Sequence, residues 1–175
     1  MIDLGTITMT LDRSSIEDAI KKVKAANKRV ERICEDLVKE LVEYGIDVAQ
    51  LEVERLGAVY TGELEQSIQG VFFKEEHLGV IYTDVPYALY VEYGTGIVGA
   101  NSPHPEAGKA QWKYDVHHHG ERGWWYPAPY GWVNIKDGAD ANVAYAWTKG
   151  QPSAPFMYNT MRILEEYAKG KAGRI

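Results

Sequence analysis

The stretch SIEDAIKKVKAANKRVERICEDLVKELVEY, residues 15–44, carries the strongest periodic signal in the chain. Ile16, Ile20, Val23, Asn27, Val30, Cys34, Leu37 and Leu41 recur in steps of four and three, and Ala19, Ala26 and Ile33 widen the stripe on one side. Apolar residues at this spacing line one face of an amphipathic helix. Ser14 or Ser15 is placed to cap its first turn, and Glu17 and Asp18 suit the positive end of the helix dipole. A helix of about 30 residues spans roughly 45 Å. Gly45 offers an end, and residues 46–56 read either as a second helix or as a continuation of the same rod. Two packings fit the stripe. It lies on a sheet, or it packs against another subunit with Asn27 setting register in the seam.

Charge is uneven along this segment. Lys21 to Arg32 holds six bases and one acid, and Glu35 to Glu54 holds seven acids and one base. One reading is a solvated face of sequential pairs. The other is a dipole that favours head-to-tail contact between copies, with Lys21, Lys22 and Lys24 at the subunit interface.

Outward from the helix, residues 67–74 and 78–83 read as two strands joined by Glu75-Glu76-His77, a β-hairpin. Pro86 breaks the second strand. Tyr87 to Tyr93 is short and apolar, either helical turns or a third strand, and Gly94-Thr95-Gly96 ends it. Residues 97–122 have no period and read as a long, mobile loop. Trp124 to Val133 and Val143 to Thr148 read as a second strand pair, joined across Lys136-Asp137-Gly138. Gly150-Gln151-Pro152 turns the chain, and Pro155 opens a final helix. Phe156, Thr160, Ile163, Leu164 and Tyr167 form its apolar face, and Gly170 suits its end. These elements make a single α+β domain over residues 1–175. A mixed or antiparallel sheet is covered by the long N-terminal helix and the C-terminal helix.

The composition excludes several classes. At 175 residues the chain is of one-domain length. A formal net charge of −6 argues against a protein that coats nucleic acid. Cys34 is the single cysteine, so neither an internal disulfide nor a multi-cysteine zinc site can form. No apolar run approaches the roughly 20 residues of a membrane span. Residues 1–15 lack the pattern of a signal peptide, so the expectation is a chain that is made and folded in a reducing cytoplasm or leaves it by some other route.

Candidate chemistry is sparse. His117-His118-His119, with His104 as a further ligand, invites a metal-dependent hydrolase, but only His117 and His119 would share a face on a strand. Cys34 falls on the helix stripe and reads as a buried, inert thiol. No serine sits in a nucleophile elbow, and Gly94-x-Gly96 is too short for a phosphate-binding loop. The expectation is therefore no catalytic, cofactor or metal residue. Nine of the 36 residues from Trp112 to Trp147 are Trp or Tyr. Interleaved aromatics stack sugars, anchor protein interfaces or fill a core. An aromatic hairpin that binds carbohydrate is thus an alternative function, and Trp124 and Trp125 are candidate interface residues.

Three segments in order resemble one family. They are Tyr60-Thr61-Gly62-Glu63-Leu64-Glu65-Gln66-Ser67-Ile68, then Tyr87-Ala88-Leu89-Tyr90-Val91-Glu92-Tyr93-Gly94-Thr95-Gly96, then Gly150-Gln151-Pro152-Ser153-Ala154-Pro155-Phe156-Met157. Their order is similar to that in the tail-component family of long-tailed bacteriophages, the minor neck proteins called tail-completion or head–tail joining proteins. The resemblance implies a non-enzymatic virion protein with an α+β fold, assembled in the bacterial cytoplasm. Its partners would be other neck and tail proteins and copies of itself in a ring, without membrane or sequence-specific nucleic acid. The motif positions carried over are Thr61, Gly62, Leu64, Ser67, Tyr90, Glu92, Tyr93, Gly94, Thr95, Gly96, Gly150, Pro155 and Phe156. Each also has an account in folding. Thr61 is a candidate cap, and the glycines permit an abrupt turn. Glu92, within an apolar run, needs a backbone amide or a base as partner.

Overall fold

The computed structural model describes residues 12–58, 61–127 and 145–173. The elements run α1 (Arg13–Arg55), α2 (Glu63–Ser67), β1 (Gln69–Phe73), β2 (Leu78–Tyr82), α3 (Ala88–Tyr93), α4 (Gly96–Asn101) and α5 (Ala107–Ala110). A 3₁₀ turn (Gly120–Arg122), β3 (Trp124–Pro127), β4 (Tyr145–Thr148), β5 (Gly150–Gln151) and α6 (Phe156–Ala172) follow. The class is α+β. The strands form two antiparallel two-stranded sheets, β1 with β2 and β3 with β4, and β5 adds two bridges. No described helix is long and apolar enough to cross a membrane.

The residues fall into two compact units. One holds the described residues up to Gln50, Ile68–Tyr82 and those from Thr160 on; the other holds Leu51–Ser67 and Thr83–Asn159. The two units interleave along the sequence, and the chain passes between them more than once.

In the first unit the first turn of α1 is capped by Asp12 rather than by Ser14 or Ser15. Ser15 N–H donates to the Asp12 carboxylate at 2.9 Å, and Ser14 Oγ donates to the same oxygen at 2.8 Å. This satisfies an orphan donor of the first turn. The helix then continues through Gly45 as one rod of 43 residues. Gly45 is a packing glycine: a Cβ there would run into Ile81 Cδ1 and Leu164 Cδ1. The hairpin pairs Gln69 with Tyr82 through Phe73 with Leu78. Its glycines let it close on α1, since a Cβ at Gly70 or Gly79 would lie 2.5 Å from a Val42 methyl. Leu164 of α6 fills the same layer and is buried. Tyr167 and Lys171 both donate to Glu40, the latter at 2.6 Å. These bonds, Lys171 foremost, hold the Glu40 carboxyl below its ordinary value.

The stripe that reads as the buried face of α1 is largely turned to solvent. Ile16, Ile20, Val23, Val30 and Cys34 are exposed, and Leu37 and Leu41 are half-buried. The hairpin instead meets α1 on Glu35, Val38, Lys39, Val42 and Ile46. That face lies about one residue, or 100°, around the helix from the predicted one. Both faces are apolar after Leu37, so periodicity alone does not choose between them. On α6 the same test moves Ile163 outward, at 37% exposure, and the helix passes Gly170 to end at Ala172.

In the second unit residues 97–122 are not one long loop. They form α4, α5 and the 3₁₀ turn. Tyr87 to Tyr93 is helical, not a third strand. Strand β3 pairs with β4 in the register Trp124–Thr148 to Pro127–Tyr145. The predicted turn Lys136-Asp137-Gly138 lies outside the described residues.

Candidate functional site

Residues 61–67 of motif one and the whole of motifs two and three fall in the second unit, where several of their polar atoms bond to one another. Motif one opens with a capped turn: Glu63 N–H donates to Thr61 Oγ1 at 3.3 Å, and Gly62 takes a positive φ of 78°. Leu64 is buried. Ser67 Oγ lies 2.6 Å from Thr83 Oγ1, and Tyr87 O–H donates to Glu63 at 3.1 Å, which ties motif one to the approach of motif two.

Motifs two and three interlock at closer range. Thr95 pairs with Gln151 and Gly96 with Gly150. Ala154 N–H donates to the Val91 carbonyl at 2.9 Å, Ser153 Oγ to the Glu92 carbonyl at 2.6 Å, and Gln151 Nε2 to the Tyr90 carbonyl at 2.8 Å. Glycine is required at the crossing. Gly94 has φ 79°, and a Cβ there would sit 2.7 Å from Ser153 N. Gly150 has φ 108°, and its Cβ would strike the Thr95 carbonyl.

Glu92 is the centre of this joint. It is 7% exposed. Met157 N–H donates to Oε2 at 2.9 Å and Tyr158 N–H to Oε1 at 3.0 Å, so the carboxylate sits on the first turn of α6, where Pro155 and buried Phe156 place it. Charge and dipole agree there. His104 Nε2 approaches Oε1 at 3.0 Å. Glu106 N–H donates to His104 Nδ1 at 2.9 Å, so the proton facing Glu92 is on Nε2. The sequence asks for a backbone amide or a base beside Glu92; the fold supplies both. Tyr93 stacks between His104 and Trp112, with centroids at 4.3 and 5.0 Å, and Trp112 Nε1 donates to the Gly94 carbonyl at 3.0 Å.

His104 is therefore taken up by Glu92 and does not join the triple-histidine segment as a metal ligand. Among the described residues no group of three His, Cys, Asp or Glu is gathered around one point. His119 instead bonds Asp115 through Nδ1 at 3.1 Å. The Gly120 and His119 backbone N–H groups hold the Asp115 carboxyl down to about 2.

Beside the joint lies a cavity of about 600 Å³, lined by the rings of Tyr90, Trp112, Tyr114, Trp124 and Trp125. Pockets of this size and aromatic lining hold small ligands. Trp124 also packs against His119 at 4.8 Å, so it belongs to the wall, while Trp125 faces Trp147 across the ladder and is 36% exposed. Of the other candidate interface residues, Lys21, Lys22 and Lys24 are exposed on α1, with Lys21 3.5 Å from Asp18. Three of the seven acids at the far end of α1 are paired within the chain: Glu35 with Lys74, Glu40 with Lys171 and Glu52 with Arg55. Sequence reasoning missed Trp112 and Gln151 as joint residues. The side chain of each donates to a backbone carbonyl 18 or 61 residues away, which leaves no local pattern. No family model, curated protein or solved structure matches the chain.

Proposed function

We propose that this chain is a non-enzymatic structural protein of the head–tail neck of a long-tailed bacteriophage or prophage, completing the tail or joining it to the head. The observation that carries the reading is the joint itself. Residues 61–67, 87–96 and 150–157, from the three segments resembling the tail-component family, lie in one unit and bond to one another. Residues used this way hold a shape for contact with other proteins. A catalytic group is instead left free to meet substrate. The proposal includes a homo-oligomeric ring in the virion, docked on other neck and tail proteins and assembled in the bacterial cytoplasm. Interrupting the gene in an inducible lysogen tests it. Electron microscopy of the lysate is expected to show separate heads and tails, and wild-type protein supplied in trans restores plaque formation. Intact infectious particles from the interrupted lysogen would overturn it.

The cavity supports a second reading, a carbohydrate-binding module. Five aromatic rings around about 600 Å³ suit the apolar face of a pyranose. Tryptophan fluorescence separates the two: a saturable shift with an oligosaccharide, lost in Trp112→Ala, favours the module, and an unchanged spectrum across a glycan panel removes it.

A further inference from the structure

The outward stripe on the first half of α1 has the spacing of a coiled-coil seam. Ile16, Val23 and Val30 take the d positions, and Ile20, Asn27 and Cys34 the a positions. Ile20 is 48% exposed and Val23 46%, so these side chains are uncovered among the described residues. The five bases Lys21, Lys22, Lys28, Arg29 and Arg32 fall at b, c and f, outside such a seam. The small residue Ala26 falls at g, where a neighbouring helix can approach closely, while Ala19, also at g, is already buried within the chain.

We propose that this face binds the same face of a second copy of the chain, as a parallel, in-register, two-stranded coiled coil over residues 16–34. Three features select that occupant. First, Asn27 at an a position meets Asn27 of the second copy only when the helices are parallel and in register. In an antiparallel pair it faces Val23 and leaves a polar group unmatched. β-branched d residues by themselves suit three strands, and the a-position asparagine selects two. Second, the e positions are Glu17, Lys24 and Glu31. In the parallel pair they lie beside g positions Ala19, Ala26 and Ile33, and no like charges meet. In the antiparallel pair Lys24 opposes Lys24, and Glu17 opposes Glu31. Third, the acidic half of α1 offers a poor alternative partner. Its apolar face is packed under the hairpin and α6, and Glu35 and Glu40 are bonded within the chain. The inference does not rest on the neck reading, since it uses only α1.

The seam also fixes a salt dependence. Residues 13–34 carry seven bases (Arg13, Lys21, Lys22, Lys24, Lys28, Arg29 and Arg32) against three acids (Glu17, Asp18 and Glu31), a net of +4 per strand. Two such strands repel at long range, so screening strengthens their association. A head-to-tail contact between basic and acidic halves would weaken with salt.

Sedimentation velocity of the full chain in reducing buffer is expected to show a monomer–dimer equilibrium that shifts toward dimer as sodium chloride rises. Val23→Glu and Val30→Glu should each weaken association by about tenfold or more, with the helical circular dichroism unchanged. Orientation is read by cross-linking. Copper–phenanthroline with oxygen removes one electron and one proton from each Cys34 thiol, and the wild-type chain should form a covalent dimer within the non-covalent one. The double variant Arg29→Cys, Cys34→Ala carries its thiol at an outer position and should stay uncrosslinked on that timescale. A strict monomer, a trimer, or a dimer that salt loosens overturns the proposal. So does equal cross-linking at positions 29 and 34, and so does a dimer indifferent to Val23→Glu.

Discussion

Glu92 and Met157 are 65 residues apart in sequence, yet the Glu92 carboxylate caps the helix whose first turn holds Met157, at 2.9 Å from its N–H. A buried acid thereby gains two backbone donors and a histidine. Its removal strands all three. Glu92→Ala is expected to cost about 2–4 kcal/mol in urea unfolding. Tyr87→Phe, which deletes an exposed hydrogen bond nearby, should stay within about 0.5 kcal/mol. Equal costs would mean that Glu92 is not the keystone of the joint.

The rotated face of α1 is tested by two truncations. Leu164→Ala opens space in the buried layer beside Gly45 and is expected to cost about 2–4 kcal/mol. Ile20→Ala, on the outward stripe, should change the stability of the monomer by no more than about 0.5 kcal/mol. The measurement belongs at low protein concentration, where self-association does not contribute.

Two glycines of different kinds give opposite signs. Gly150→Ala forces a side chain into the Thr95 carbonyl at a φ of 108°, and should cost about 2–4 kcal/mol. Gly170→Ala, inside α6 with open space around it, should stabilise by about 0.5–1 kcal/mol through helix propensity. Thermal melts of both variants check the pair.

Acid should loosen the turn at Asp115. Its folded-state carboxyl is held at about 2, below the ordinary 3.8, chiefly by the Gly120 N–H. A depressed carboxyl stabilises the fold above its ordinary value, and that contribution disappears as pH falls toward the folded one. Glu52, lowered by its bond to Arg55, acts in the same direction. Hydrogen exchange at Gly120 should therefore quicken, relative to its intrinsic rate, between about pH 4 and pH 2. Asp115→Asn should exchange fast throughout, and a wild-type protection that is flat over this window would contradict the assignment.

The elements were legible where a local rule sufficed. Seven steps of four and three along a mostly apolar stripe identify α1, a polar turn between β-rich runs identifies the β1–β2 hairpin, and Pro155 before Phe156 marks the start of α6. Thr61 was legible as a cap because capping is settled within three residues. Asp12 was missed because its neighbours Ser14 and Ser15 are equally good caps by type. Residues 97–122 read as a loop because α4 and α5 are six and four residues long, too short to show a period.

What the sequence determined by itself was α1, the β1–β2 hairpin, α6 and the α+β class, since period and turn chemistry act over a few residues. Which face of α1 is buried was decided only by the tertiary structure. Two stripes on that helix are apolar, and the hairpin glycines at 70 and 79 open room beside Val42, on one of them. The same holds at Glu92. Its sequence context states a need for partners, but Met157, Tyr158 and His104 reach it only through folding, because hydrogen bonds over 12 to 66 residues leave no trace in local spacing.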